Sequence, residues 1–208
     1  MKKIVALIII CLTIKYSFGQ KQNDFYKSFS EIGIKHNLNF DENNIARIGS
    51  IRRHMSSFYN LAGTYKKRGD SIYIKIQKIN SFELLKAKKF GFESFSEMEL
   101  ILYQDGSELI DPKNRTVYVT SRQLNRKKIK RKSIAFIDDK KYIYERLVTD
   151  GYGLIRREPR KNKRFNKALA KVLENPDNYE TKVIRGLTAY EKYGLIGING
   201  VSIMNKKN

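Results

Sequence analysis

Two histidines, His36 and His54, and a single cysteine, Cys11, are all this sequence offers of the residue types that most often bind metals. The histidines fall in different predicted elements and no carboxylates cluster around them, which argues against a zinc site or a histidine relay. No nucleophile elbow, zinc-protease helix or phosphate loop is present. Asp138-Asp139 could be read as paired carboxylates for acid–base work. Lys140-Lys141 follows directly, however, and the pair reads better as a solvated tight turn. No catalytic, cofactor-binding or metal-ligating residue is nominated, and a non-enzymatic protein without a cofactor is expected.

The second available chemistry is electrostatic. The formal net charge is +21, and from Arg122 to Lys167 basic residues far outnumber acidic ones. Arg126, Lys127, Lys128, Lys130 and Arg131 form the densest run and are the candidate anion-binding residues. Tyr142, Tyr144, Tyr152 and Phe165 are interleaved nearby, a pattern that suits stacking on nucleic-acid bases. An excess of cations favours any anionic surface, including acidic envelope polymers, glycans and lipid headgroups, and it names none of them. The plainer reading of the same run is a solvated basic face.

The address comes from the first residues. Lys2 and Lys3 precede an apolar run from Ile4 to Ile14, and Ser17-Phe18-Gly19 supplies small residues where a signal peptidase cuts. Residues 1–19 therefore read as a signal peptide, with Gln20 as the new N-terminus. The run is shorter than the roughly 20 residues that span a bilayer. No integral membrane segment is expected after cleavage, and the product should be periplasmic, outer-membrane associated or secreted. Cleavage removes Cys11, and loss of Lys2, Lys3 and Lys15 takes the charge from +21 to +18.

Elements that would position such residues follow from spacing. Phe25, Phe29 and Ile32 recur at helical intervals and predict a helix over 24–35. Asp41 reads as the cap of a longer helix ending at Gly63, with Ile45, Ile48, Met55, Phe58 and Tyr59 near one face. Strand signals take over at 64–67, 71–76, 99–103 and 116–120, with turns at Gly69-Asp70, Asp105-Gly106 and Asp111-Pro112. Together they predict an antiparallel meander. The stretch 81–95 fits a short helix or an irregular strand. After the basic boundary come a strand at 134–137, a continuation at 142–144, and a helix at 165–174 stopped before Pro176. A strand at 182–184 and a short helix at 187–193 capped by Gly194 follow.

The most specific segment runs from Val183 to Met204. Ala189 lets a short helix sit close to a sheet, Tyr193 packs as its last turn ends, and Gly194 accepts positive φ. Asn199-Gly200 is a strong turn pair. Two local readings stay open, a loop followed by a final strand, or a β-hairpin with arms 195–198 and 201–204. In sequence order, Arg185-Gly186, Ala189, Tyr193-Gly194, Gly197, Asn199-Gly200-Val201 and Ile203 resemble the end of the plug domain of TonB-dependent outer-membrane receptors. Asn175-Pro176-Asp177 and Ile134-Ala135-Phe136-Ile137-Asp138 extend the likeness upstream. Leu195, Ile196 and Ile198 depart from it, since the family has small or polar residues there.

The resemblance covers about 134–204 and implies a plug-like module without the family's barrel. It gives Gly186, Ala189, Tyr193, Gly194, Gly197, Asn199, Gly200 and Val201 structural roles. A periplasmic or outer-membrane protein partner is implied, with strand addition at the sheet edge as the expected mode. The fold expected overall is α+β: N-terminal helices, an antiparallel sheet and a C-terminal plug-like mixed βαβ unit. The expected organisation is a signal peptide at 1–19, an α+β region at 20–133 and a plug-like α/β domain at 134–208. Oligomeric state is not legible.

Overall fold

A computed structural model describes residues 25–31, 36–50, 60–77, 99–126, 129–149 and 154–207. Strands β1 (Tyr26–Ser30), β2 (His36–Phe40), β3 (Ile45–Ser50), β4 (Asn60–Arg68), β5 (Ser71–Ile76), β6 (Glu99–Asp105), β7 (Glu108–Asp111) and β8 (Thr116–Thr120) pair in sequence order. β8 then pairs with β1, from Tyr26 opposite Thr120 to Ser30 opposite Thr116, and closes an antiparallel barrel. Closure leaves no free edge among these strands. Alternate side chains point inward, and Leu38, Ala46, Ile48, Leu61, Ile72, Ile74, Leu100, Leu102 and Tyr118 fill the interior.

The expected α+β fold, with N-terminal helices, an antiparallel sheet and a C-terminal plug-like mixed βαβ unit, is therefore corrected. The described residues are mostly strand around a closed antiparallel barrel, and residues 179–184 and 201–206, which flank the last helix, pair antiparallel rather than as a βαβ unit. β1 occupies the first expected helix, and β3 and the start of β4 occupy the ends of the second. Asp41 does accept backbone hydrogen bonds, but from Asn43 and Ile45 at 3.0 Å each, closing the β2–β3 turn with Asn44 at φ 58°. A helix cap and an Asx turn use the same carboxylate chemistry, so the residue type alone does not separate them. Gly63 ends no helix. It sits in β4 where a Cβ would strike the Lys75 carbonyl of β5. Met55, Phe58, Tyr59, His54, the stretch 81–95 and residues 1–24 lie outside the described residues.

Beyond the barrel, helix α1 (Ser121–Arg126) and a 3-10 turn (Ile129–Arg131) lead into β9 (Lys132–Ile137) and β10 (Lys140–Glu145). Asp138 and Asp139, at φ 47° and 62°, form the two-residue turn of this hairpin, the left-handed pair that matches strand twist. A small pair, β11 (Val148–Thr149) and β12 (Ile155–Arg157), precedes helix α2 (Lys163–Glu174). The Asn162 side chain caps α2 at the Phe165 amide. Then come β13 (Tyr179–Ile184), helix α3 (Gly186–Tyr193), a 3-10 segment (Gly194–Asn199) and β14 (Val201–Lys206).

β10, β9, β14 and β13 form a four-stranded sheet in that order, with β14 parallel to β9 and antiparallel to β13. Phe165 and Val172 of α2 cover one face, against Ala135, Ile137 and Met204. Ala189 of α3 covers the other, against Ile134 and Val201. The opposite side of α3 lies on the barrel wall, where Leu187 and Ile198 pack on Val117 and Val119. This explains why every residue of β8 is buried: Thr116, Tyr118 and Thr120 serve the interior, while Val117 and Val119 serve the interface with α3. Among the described residues no helix is long and apolar enough to cross a membrane.

Candidate functional site

The glycine-bearing tail is the densest cluster of sequence-nominated residues, and the fold uses each for backbone shape or packing. Gly186 opens α3 at φ 56°, where a Cβ would meet the backbone of Glu31 and Ser30 in the barrel. Ala189 is fully buried under the sheet. Tyr193 packs its ring on Phe136, with the Lys141 ammonium 5.9 Å from the Tyr193 centroid. Gly194 caps α3 at φ 63°, its amide donating to the Tyr190 carbonyl. Gly197 leaves no room for a Cβ beside the Ala189 carbonyl, and Gly200 turns the chain into β14 at φ 102°. Val201 then pairs with both Ile134 and Ile184.

Asn199 ties this loop to the approach to the sheet. Its Nδ2 donates to the carbonyls of Ile129 at 2.6 Å and Lys132 at 2.9 Å, while Oδ1 accepts from Arg146 Nη2 at 3.4 Å. Arg146 also reaches the Lys130 carbonyl, and its buried Nε has no hydrogen-bond partner among the described residues. Burial pulls the Arg146 pKa down.

Leu195 and Ile198, which break the plug pattern, pack with Val117 and Val119 on the barrel wall. Ile196 turns to the sheet, beside Ile134 and Val201. The loop-then-strand arrangement is the one adopted, and the apolar departures at Leu195 and Ile198 dock on the barrel while Ile196 packs on the sheet. A second lock crosses the same interface. Glu31 Oε1 accepts from the Thr188 hydroxyl at 2.5 Å and the Thr188 amide at 3.2 Å, and pairs with Arg115 Nε at 2.9 Å. The Thr188 hydrogen bond and the Arg115 cation hold the Glu31 carboxyl below its usual range, against a smaller opposing effect of burial.

The candidate anion-binding residues are dispersed in role. Arg126 ends α1, Lys127 and Lys128 lie outside the described residues, Lys130 is exposed, and Arg131 is half-buried with its carbonyl bonded to the Arg146 amide. The more regular cationic surface is one that spacing in the sequence would have revealed. Lys163, Lys167 and Lys171 recur every four residues on the solvent side of α2, with Arg164 beside them.

Inside the barrel, His36 Nδ1 lies 3.1 Å from Ser28 Oγ and Nε2 lies 2.7 Å from Tyr118 OH. Burial drives the imidazole down to a pKa of about 3, so it is neutral. Among the described residues no group of three or more His, Cys, Asp or Glu is placed to hold a metal ion.

The two edges of the four-stranded sheet differ. Beside β10, Asn162 Nδ2 donates to the Ile143 carbonyl and the Arg160 amide donates to Glu145. β13 pairs with β14 alone among the described strands, and Glu180 to Val183 are all exposed.

No protein-family model and no curated protein matches this chain. One solved structure, an uncharacterized protein from Bacteroides eggerthii, aligns with a TM-score of 0.29 at 14% identity. The alignment covers 47% of this chain and 93% of that one.

Proposed function

We propose that this chain is an exported, non-enzymatic interaction module of the cell envelope, related to the plug domains of TonB-dependent receptors and engaging an outer-membrane or periplasmic protein. Export is supported by Lys2, Lys3 and the apolar run to Ile14. The plug kinship is supported by the sequence order of Arg185-Gly186, Ala189, Tyr193-Gly194, Gly197, Asn199-Gly200-Val201 and Ile203, and the positive φ angles at Gly186, Gly194 and Gly200 fit the structural roles it gives those glycines. Each marks a backbone shape that a side chain would strain. Affinity capture from envelope extracts tests the reading. A defined outer-membrane or periplasmic protein, recovered reproducibly and lost with Gly186→Val, is the expected result. Recovery of none would count against it.

A second reading has its own observation, the lysine ladder of α2. An anionic polymer or lipid surface laid along Lys163, Lys167 and Lys171 would bind with steep salt dependence. Charge reversal at these three should abolish retention on acidic glycan or anionic vesicles. Reversal at Arg126, Lys127, Lys128 and Lys130 tests the other basic run separately.

A further inference from the structure

We infer that β13 is the seat of a second copy of this chain, the two copies joining their four-stranded sheets edge to edge across a two-fold axis at Thr181. The proposal is independent of plug kinship. It rests on which backbone groups β13 turns outward and on which side chains a copy would bring opposite them.

The direction of the amides follows from one hydrogen bond. The Lys207 amide donates to the Asn178 carbonyl at 2.8 Å, which makes 178 and 207 a hydrogen-bonded pair of the β13–β14 ladder. Such pairs alternate along an antiparallel ladder. Given the register from Tyr179 opposite Lys206 to Ile184 opposite Val201, Glu180, Lys182 and Ile184 therefore turn to β14. Tyr179, Thr181 and Val183 turn their main-chain groups to the open side. The strand on the far side of β14 obeys the same parity, since Met204 accepts from the Asp138 amide. The Tyr179 amide is already committed to the Pro176 carbonyl, which leaves its carbonyl at the edge.

An antiparallel copy centred on Thr181 matches outward groups with outward groups. Thr181 then faces Thr181 of the second copy, Tyr179 faces Val183, and Glu180 faces Lys182. These are a threonine pair, an aromatic with a β-branched residue, and opposite charges, all of them favourable cross-strand neighbours. The Glu180–Lys182 pairs fall at the non-hydrogen-bonded positions, where opposed side chains are closest. Symmetry doubles every pair except the central one.

Faces agree as well. Tyr179 lies on the α2 face of the sheet with Phe165 and Met204, and Val183, two residue pairs along the same face, is 46% exposed. Moving the axis one residue either way sets Glu180 against its own copy or Lys182 against its own copy. Charge thus selects one register of the three that suit the backbone.

The other edge of the sheet is unsuited to the same use, because Asn162 occupies the Ile143 carbonyl beside β10. Among the described residues, one open edge opposite a blocked one fits specific pairing better than indiscriminate sheet extension.

Mass measurement across a concentration series, at moderate salt to screen the large net charge, tests the arrangement. The purified chain is expected to be a dimer at high concentration. Glu180→Lys alone, and Lys182→Glu alone, set like charges opposite each other and should weaken dimerisation by about tenfold or more. The double exchange, E180K with K182E, rebuilds both pairs only when the partner is a second copy in this register, and it should restore the dimer. Thr181→Pro should abolish it while leaving the β13–β14 ladder intact, since that amide points away from β14. A chain monomeric at every concentration overturns the proposal, as does a dimer indifferent to these changes or one the double exchange does not rescue. So does a monomer that captures a strand of another envelope protein through Thr181. Plug kinship is untouched by any of these outcomes.

Discussion

Glu31, at the end of β1, holds Thr188 of α3 through two hydrogen bonds to one carboxylate oxygen, at 2.5 Å and 3.2 Å. A residue of the barrel wall thus clamps the first turn of the helix that supports the C-terminal sheet. Because the Thr188 hydroxyl and the Arg115 cation stabilise the ionised carboxylate, its folded pKa is depressed. Its contribution to stability is present above the unfolded carboxyl pKa and is lost as pH falls through the folded one. Replacing Thr188 with Val should return the Glu31 carboxyl towards its ordinary value, as read by NMR titration. A Glu31 titration unmoved in T188V would contradict the clamp.

Glycine substitutions separate strain from collision. Gly194→Ala meets open space but a φ of 63° and ψ of −158°, and should cost about 1–3 kcal/mol from backbone strain alone. Gly186→Ala adds a clash with the main chain of Glu31 and Ser30. It should cost more than Gly194→Ala and should separate the unfolding of the barrel from that of the C-terminal sheet in denaturant melts. Equal losses would show that the contact at Gly186 relaxes freely.

Acid should weaken the barrel through His36. The imidazole is neutral in the fold, its pKa lowered from 6.5 to about 3 by burial, whereas the unfolded chain takes up a proton near 6.5. Stability therefore falls as pH drops from 6.5 towards 3, by up to about 1.4 kcal/mol per pH unit from this group, and is flat above 6.5. Denaturant titrations of wild type and His36→Gln should differ in slope across that window by close to one proton. Parallel slopes would mean that His36 does not stay neutral inside the barrel.

Asn199→Ala should cost about 1–3 kcal/mol, because it leaves the Ile129 and Lys132 carbonyls without their donor. Asn199→Asp should be worse, since a carboxylate replaces the donor with a second acceptor. Thermal melts of the two variants give the order directly, and an aspartate variant as stable as wild type would refute the donor assignment.

Where local chemistry was unambiguous, the chain was readable in advance. The strand around Ile134, the helix around Phe165 and Val172, and a positive-φ glycine cap at Gly194, though with ψ −158° rather than the αL value, lie where spacing and turn residues placed them. These features depend on neighbours a few residues away. The N-terminal segments failed the same test because their inward sets are partly polar: Ser28 and Ser30 on β1 and His36 on β2 face the barrel interior or its rim. A polar residue on the buried side erases the two-residue alternation, and Phe25, Phe29 and Ile32 then mimic a helix.

Composition and short-range order in this sequence determine its large positive charge, its turns at Asp138-Asp139 and Asn199-Gly200, and the conformational freedom its tail requires. Tertiary structure alone decided that the first strands close on β8, that Leu195 and Ile198 meet the barrel wall, and that β13 has no second strand neighbour among the described residues. The reason is range. A turn or a cap is settled by hydrogen bonds within about four residues, whereas Tyr26 opposite Thr120 or Glu31 beside Thr188 joins residues far apart in the chain, whose meeting no local pattern records.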